Sequence, residues 1–198
     1  MSIFRSTGLH TTMTTSSLPV TSIRRAVIRD VPAILELMAP YIQEGVLLPV
    51  PIYRLFERIR DFVVAEDGES LVGCGSLLIT WHDLAEVRSL TVRKGFQGGG
   101  VGRRIVEALV QDAEELGVNR VFALTRQPGF FSRLDFEEVA KETLPHKVWK
   151  DCQHCPRFTH CDEIAVARTL APPMNASPVT PFPASPVDPD LILPSPIG

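Results

Sequence analysis

The sequence predicts one mixed domain of the α/β (α+β) class, a central sheet flanked by helices, on three observations. Strand-like and helix-like segments alternate along residues 23–170. Of the 198 residues, 44% are hydrophobic, which suits one well-formed core, and the chain is too short for two large domains. Both ends differ in composition from the middle, which confines the fold to the middle.

The two ends are predicted to stay outside the fold. Residues 1–22 contain eleven Ser or Thr residues and no acidic residue, and we expect a disordered leader there. Residues 171–198 contain nine of the 17 prolines and no Lys or Arg. Proline at that density is incompatible with helix and sheet, so this segment is expected to form a flexible tail.

The first half of the domain is predicted to contain a strand, two helices and a hairpin. The strand covers residues 23–28, and Asp30 is expected to cap a helix over residues 31–44 that ends at Gly45. Pro51 is expected to open a second, short helix. A hairpin is predicted over residues 62–80, because two apolar runs flank an acidic turn that contains a glycine.

The second half is predicted to add strands around one long helix. A strand over residues 85–92 leads into a glycine cluster and then into a helix over residues 101–116. Three more strands, and a short helix over residues 128–134, are expected further along the chain. The three strands cover residues 118–124, 136–141 and 163–170.

Charge and composition exclude several classes of partner. The formal net charge is -3, so no global basic field attracts nucleic acid or an anionic membrane. No apolar run approaches the roughly 20 residues that span a bilayer. Four cysteines in a chain of this size do not indicate a secreted disulfide scaffold. We therefore expect a cytoplasmic protein with neither nucleic acid nor membrane as a partner.

The glycine cluster between the strand and the long helix predicts a phosphate site. Glycines permit positive φ angles and close approach of a ligand, and the helix start offers unpaired N–H groups. A P-loop would need Lys and then Ser or Thr after the last glycine, but Gly102 is followed by Arg103. The spacing also fails for the dinucleotide fingerprint. A glycine-rich connection without a ligand is the alternative.

The arrangement Gln97-x-x-Gly100-x-Gly102 resembles the acetyl-CoA pyrophosphate loop of the GNAT N-acetyltransferase superfamily. The resemblance extends over residues 23–150 and implies a mixed, mostly antiparallel sheet. It implies that Val92 pairs its backbone with the pantetheine arm and that the Leu90 N–H binds the thioester oxygen. It also implies that the coenzyme contacts a set of loop and nearby residues, namely Gln97, Gly98, Gly99, Gly100, Val101, Gly102, Arg103 and Phe131.

A narrower resemblance is to the N-acetylglutamate synthases, carried by residues 45–49, 86–92 and 121–125. Residues 147–152 and 161–163 resemble the short, stand-alone bacterial form. These synthases carry Phe at the Phe131 position, where the superfamily often has a tyrosine that protonates the thiolate. The implied reaction moves acetyl from acetyl-CoA to the α-amino group of L-glutamate, the first step of arginine biosynthesis, and the family also allows a homodimer.

Two alternatives to that reaction stay open. Val50 and Pro51 stand where related synthases often carry an arginine that holds the glutamate carboxylate. The acceptor is therefore alternatively another small amine or amino acid. A module that binds acyl-CoA without catalysis is the alternative from a different class.

Acetyl transfer needs a base that takes a proton from the acceptor ammonium, and Glu86 is the candidate. Strict alternation would place Glu86, Arg88, Leu90 and Val92 on one face of their strand. A structural glutamate paired with Arg88 is the alternative interpretation. His82 and Asp83 are rival bases, although turn positions explain them as well.

An acceptor with two carboxylates calls for a cationic pocket. Arg88 is the best-placed cation because it shares a face with Glu86, and Arg54 and Lys147 are further candidates. For the last two, a solvated surface charge is the favoured interpretation. Arg103 or Arg104, at the start of the long helix, is expected to contact the phosphates of CoA.

Three cysteines and a histidine near the C-terminus suggest a structural zinc site. The proposed ligands are Cys152, Cys155, Cys161 and His160, because three thiolates and one imidazole form a plausible tetrahedral set. Reduced thiols in a cytosolic loop are the alternative. Cys74 lies in an apolar strand and is expected in the core.

Overall fold

The computed structural model describes residues 22–144, 155 and 160–170. The predicted leader up to residue 21, the predicted tail over residues 171–198 and most of the cysteine-rich segment lie outside the described residues. The predicted leader includes Ser22, but this residue belongs to the first strand, where it pairs with Glu66.

Strands and helices follow one another in the predicted order, with shifted boundaries. The first strand ends at Arg25 rather than at residue 28, and the strand predicted over residues 136–141 is reduced to two residues. The elements are β1 (Ser22–Arg25), α1 (Val31–Gln43), α2 (Ile52–Glu57), β2 (Phe62–Asp67), β3 (Ser70–Trp81), β4 (Leu84–Val92), α3 (Val101–Glu115), β5 (Arg120–Thr125), α4 (Pro128–Ser132), β6 (Glu137–Glu138) and β7 (Ile164–Thr169).

The described strands form one sheet in the order β1-β2-β3-β4-β5-β7-β6. Neighbouring strands are antiparallel except β4 and β5, which are parallel. The expected mixed, mostly antiparallel sheet is confirmed. The connection from β4 to β5 runs through the glycine cluster and α3, as a parallel pair requires.

The two long helices cover opposite faces of the sheet. Val63 and Ala65 of β2 belong to the apolar core formed with α3, and Val64, between them, packs in the core formed with α1. This alternation follows from the two-residue period of a strand. Two glycines on β3 let α3 lie close to the sheet, since a Cβ at Gly75 would stand 2.8 Å from Cγ2 of Ile105.

Asp30 is the N-cap residue of α1, as predicted, but its side chain does not cap the helix. Its backbone already has helical angles, φ −81° and ψ −15°, and its carboxylate makes no bond to the N–H groups of the helix. The carboxylate instead accepts from Val27 N at 2.8 Å and from the Arg24 guanidinium at 2.7 and 3.0 Å. Arg24 also binds Glu66 and lowers the pKa of both carboxyl groups through these hydrogen bonds.

The end of α1 is as predicted, because Gly45 follows the helix with a φ of 67° that suits glycine.

None of the helices in the described ranges has the length and apolar character that crossing a membrane requires.

Candidate active site

Strands β4 and β5 separate along their length and leave a gap between them. Their register pairs Leu84 to Glu86 of β4 with Arg120 to Phe122 of β5. Within the described ranges, no strand pairs with this edge of β4 beyond Glu86, whereas β5 pairs with β7 as far as Thr125. The gap leaves one edge of β4 open to a ligand that can pair with a backbone.

A β-bulge at Ser89 changes which face the later β4 side chains occupy. Ser89 has a φ of 51°. In the register of β4 with β3, Arg88 lies opposite Ser76 and Thr91 lies opposite Cys74. Two β4 residues, Ser89 and Leu90, therefore lie opposite the single β3 residue Gly75. A bulge inserts one residue and so reverses the alternation beyond it.

The expected single face for four β4 residues is therefore wrong. Ala85 and Val87 belong to the core under α3, which directs Glu86 and Arg88 to the opposite face. Beyond the bulge, Leu90 and Val92 pack against the α3 core instead. The sequence alone did not reveal the extra residue.

The backbone of Val92 faces the gap. Arg93 N donates to Val72 O at 2.8 Å, so Arg93 directs its backbone groups toward β3. Because successive residues of a strand alternate between its two edges, the N–H and C=O of Val92 point the other way, as do those of Leu90. The two residues predicted to meet the pantetheine arm and the thioester thus share the open edge. Their contacts with a coenzyme stay predictions.

The glycine cluster forms an open turn at the start of α3. Gly95, Gly98 and Gly100 have φ angles of 98°, 78° and 83°, and a Cβ at any of them would meet no atom within 4 Å. Gly100 is the N-cap of α3, and the first turn of the helix carries no acidic residue. Exposed backbone at the positive end of a 15-residue helix suits an anion such as a pyrophosphate.

The other residues predicted to bind the coenzyme differ in accessibility. Arg103 is exposed, and its Nε donates to Glu107 at 2.7 Å. Phe131 is only 4% exposed, with edge-on contacts to Phe130 and Phe136 at centroid distances of 5.1 and 5.2 Å. Phe131 therefore offers a ligand little surface, whereas the Phe130 ring lies 3.4 Å from a Cβ built on Gly102.

Glu86 lies where β4 and β5 begin to separate, on the face away from α3. It is 8% exposed, and its Cα partners are Leu78 on β3 and Phe122 on β5. The Arg88 Nε lies 3.6 Å from its Oε2. A nearly buried carboxylate between apolar neighbours, with one cation beside it, is an arrangement that can exchange a proton with a bound amine.

The rival bases lie elsewhere. His82 and Asp83 occupy the exposed turn between β3 and β4, where their side chains are 3.6 Å apart. The Asp83 carbonyl accepts from the backbone N–H groups of Asn119 and Arg120. This turn is at the opposite end of β4 from the open edge, so both residues fit the turn interpretation.

Of the predicted acceptor cations, Arg54 and Arg88 lie among the described residues. Arg54 lies on exposed α2, 3.1 Å from the Glu57 carboxylate and 5.4 Å from the centre of the Tyr53 ring. Lys147 lies outside the described residues. Arg88, beside Glu86, keeps the position that the sequence predicted.

Sequence reasoning missed Arg126, which follows β5 on the far side of the gap. Its Nη1 donates to the carbonyl of Gly45 at 3.1 Å, and its Nε lies 2.8 Å from the Asp162 carboxylate. The only sequence signal is its position just after a strand, which is too common to identify a site.

Tyr41 was also missed, because it lies more than fifty positions before the glycine cluster in the chain. Its hydroxyl donates to Val92 O at 2.5 Å and accepts from Gln97 Nε2 at 2.6 Å. Its position four residues after the buried Leu37 on α1 was the available signal, since both then share a helix face.

The zinc prediction gains no support. Cys152 lies outside the described residues, and within the described ranges no group of three or more His, Cys, Asp and Glu side chains could hold a metal ion. Cys161 is exposed, and its sulfur accepts from Lys141 Nζ at 3.4 Å. Cys74 is fully buried as expected, and burial raises the pKa of its thiol to about 12.

Two cavities lie outside the gap between the strands. One of about 590 Å³ is bordered by α4 and β6, and its lining includes Asp135, Glu137 and Glu138. Three carboxylates make it unfavourable for a polyanionic coenzyme. A second cavity of about 160 Å³ is lined by Tyr41, Arg93 and Lys94, next to the glycine cluster.

Comparison with known proteins identifies similar chains. An uncharacterized N-acetyltransferase of Chlorobaculum tepidum is 41% identical over 150 residues, which is 76% of this chain and 97% of the relative. The amino-acid acetyltransferase of Mycobacterium tuberculosis is 40% identical over 132 residues, which is 65% of this chain and 75% of the relative.

A solved structure has the same fold. It is the N-acetylglutamate synthase of Neisseria gonorrhoeae in complex with coenzyme A and N-acetyl-glutamate, with a TM-score of 0.69 and 28% identity. The similarity covers 76% of this chain but only 35% of that longer one. The model of the acetyltransferase (GNAT) family matches residues 32–136. The family model and the similar sequences agree with the separated strands β4 and β5 and with the glycine turn. The chain therefore belongs to the GNAT family of acetyltransferases.

Proposed function

We propose that the protein transfers the acetyl group of acetyl-CoA to the α-amino group of L-glutamate, within a domain of residues 22–170. The observation that carries the proposal is the open edge of β4, where Leu90 and Val92 face the gap that leads to the glycine turn. A thioester, a pantetheine arm and a pyrophosphate follow one another in acetyl-CoA in the same order.

The pyrophosphate binds the turn over residues 97–102. The positive φ angles of Gly98 and Gly100 keep side chains out of its way, and the N–H groups at the start of α3 donate to its oxygens. Arg103, which Glu107 holds at 2.7 Å, is the cation at this end. Arg104 lies in the same exposed turn of α3.

The pantetheine arm lies along β4 as an added strand. Its amides pair with the backbone of Val92, and the thioester carbonyl accepts from the Leu90 N–H, which stabilises the oxyanion of the tetrahedral intermediate. The bulge at Ser89 supports this arrangement, because bulges re-aim backbone and side chains next to active sites.

Glu86 acts as the general base. It takes a proton from the acceptor ammonium, and the neutral amine attacks the carbonyl carbon of the thioester. The nitrogen of the tetrahedral intermediate gives up its second proton to water as the carbon–sulfur bond breaks, and the CoA thiolate takes a proton from water, because Phe131 offers none. A strand rises by about 3.3 Å per residue, so Glu86 is roughly 10–13 Å from Leu90 along β4. The acceptor and water bridge this distance.

Glutamate as the acceptor is supported by the relatives named amino-acid acetyltransferase and N-acetylglutamate synthase. Arg88 is the candidate partner for a carboxylate of the acceptor, and Arg126 is a second cation on the other side of the gap.

A second acceptor class is favoured by one observation. Val50 stands where related synthases carry an arginine, and it packs against the apolar core under α1. If no other cation replaces that arginine, the enzyme acetylates a different small amine or amino acid.

An acetyl-CoA consumption assay tests the proposal, with the twenty common amino acids and several polyamines as acceptors. We expect a clear preference for glutamate. If only another amine is acetylated, the protein is still an acetyltransferase, but its acceptor is that amine and not glutamate. Affinity for CoA without turnover of any acceptor would make the protein an acyl-CoA-binding module.

A further inference from the structure

Tyr41 lies at the point where the proposed pantetheine arm would pair with β4. Its hydroxyl donates to the carbonyl of Val92 at 2.5 Å, and the Gln97 side chain donates to the same carbonyl at 3.3 Å. A carbonyl oxygen has two lone pairs, so these two donors occupy both. The Gln97 amide also donates to the Tyr41 hydroxyl at 2.6 Å, which links the three groups.

This carbonyl faces the open edge of β4. The bond from Arg93 N to Val72 O directs the neighbouring residue toward β3, so the Val92 backbone points into the gap between β4 and β5. A chain that pairs with β4 as an added strand needs the C=O as well as the N–H of Val92. The pantetheine amide and the Tyr41 hydroxyl therefore need the same acceptor.

We propose that Tyr41 regulates access to the coenzyme groove, because its hydroxyl competes with the pantetheine arm of acetyl-CoA for the Val92 carbonyl. The inference rests on the proposed function, because it assumes that the coenzyme pairs with β4. When acetyl-CoA binds, the hydrogen bond from the Tyr41 hydroxyl to the Val92 carbonyl is lost and one from a pantetheine amide forms. This contact therefore adds to the binding free energy only the difference between the two bonds.

The exchange requires only a small movement. Tyr41 lies in the last helical turn of α1, and the cavity of about 160 Å³ beside it gives its ring space to rotate. The helix end stays attached, because Glu44 binds Lys94 at 2.6 Å and the Gly45 carbonyl accepts from Arg126 at 3.1 Å. The phenol can therefore leave the carbonyl while α1 keeps its place.

Calorimetric titration with CoA tests the proposal. The change Tyr41→Phe keeps the ring and removes the competing hydroxyl, and the net value of one hydrogen bond predicts binding about 2- to 10-fold tighter than in the wild type. The matched control is Tyr53→Phe, which alters the chain's other tyrosine, 54% exposed on α2, and leaves CoA affinity unchanged.

A shortened ligand separates competition from a general structural effect. The phosphoadenosine diphosphate part of CoA has no pantetheine arm, so Tyr41→Phe leaves its affinity unchanged. In steady state, we expect the variant to lower the KM for acetyl-CoA by the same factor as the dissociation constant and to keep kcat within about twofold. If Tyr41 only stabilised the fold, Tyr41→Phe would change the affinities for both ligands by the same factor.

A spectroscopic signature follows the hydroxyl itself. In the Tyr53→Phe protein, Tyr41 is the one remaining tyrosine, and a carbon-13 label on its ring gives a single signal. CoA is expected to shift the signal of the ring carbon that bears the oxygen, and the armless ligand is not.

The possible results are distinct. Tighter CoA binding by Tyr41→Phe, with an unchanged armless ligand, supports the competition. Equal or weaker CoA binding by a folded Tyr41→Phe protein overturns it, and so does a tyrosine signal that CoA does not shift. A wild-type protein without affinity for CoA would instead refute the proposed function.

Discussion

The two halves of β4 contrast within a single strand. From Leu84 to Glu86 the strand is paired on both edges, and its side chains are buried, with Leu84 4% and Ala85 0% exposed. From Ser89 to Val92, β3 is its one partner among the described strands, the bulge interrupts the register, and most residues are half-buried. We name these the paired half and the open half. The contrast teaches that one strand can hold the sheet together and also present an unpaired edge.

The largest expected effect is at Glu86, the last residue of the paired half. The change Glu86→Gln keeps the shape of the side chain and removes the proposed base, so we expect kcat to fall on the order of 10²- to 10⁴-fold, with CoA affinity unchanged. Turnover and calorimetry measure the two effects. The exposed Glu138 on β6 supplies the control Glu138→Gln, which should retain full activity. Unaltered turnover in Glu86→Gln would remove Glu86 from the mechanism.

The paired half is expected to affect stability rather than coenzyme binding. Leu84 packs with Phe122 and Ala165 in a small apolar cluster, and Leu84→Ala should lower the free energy of unfolding by about 2–5 kcal/mol. Urea denaturation measures this loss. Calorimetry below the transition should find CoA affinity unchanged. A large loss of CoA affinity in the folded variant would mean that the two halves do not act separately.

Gly75, opposite the bulge, connects the two halves. A Cβ there would stand 2.8 Å from Ile105, 3.2 Å from Leu109 and 3.5 Å from Leu90. We expect Gly75→Ala to cost about 1–3 kcal/mol of stability through overpacking and to raise the KM for acetyl-CoA by displacing Leu90. The control Gly129→Ala adds a Cβ where nothing lies within 4 Å. Equal stability of the two variants would show that α3 tolerates the added atom.

The smallest effect is expected at the bulge residue itself. Ser89 has a φ of 51°, which glycine adopts without steric cost. Ser89→Gly should therefore change stability by only about 0–1 kcal/mol in the favourable direction and retain activity. Ser89→Val places a β-branched residue at the same angle and should lose both stability and activity. Thermal unfolding and turnover compare the two variants. Full stability and activity of Ser89→Val would mean that the bulge can be rearranged.

Much of the fold could be predicted because local signals agree with the tertiary structure. The apolar stripe of α1, the acidic turn of the hairpin and the glycines at helix ends are local features. The glycine cluster was recognised in the same way, from a strand, a turn and a helix in sequence. Glu86 and Arg88 could be paired because they lie two positions apart on one strand.

The features that were missed depend on distant contacts. The bulge at Ser89 leaves no mark on the hydrophobic pattern, since it is defined by the register with β3. Tyr41 meets Val92 across 51 positions, and Arg126 meets Gly45 across 81. The Asp30 carboxylate does not cap α1, because it binds Arg24 on the neighbouring strand. In each case a partner from another element decides the outcome.

The central claim is that acetyl-CoA binds the open half of β4 and the turn over residues 97–102. A nitrogen-15 correlation spectrum of the labelled protein, recorded during titration with CoA, tests it most directly. We predict that the amide signals of Leu90, Val92, Gly98 and Gly100 shift, while those of β1 and β2 keep their positions. Shifts confined to the cavity between α4 and β6, with the glycine turn unaffected, would contradict the claim.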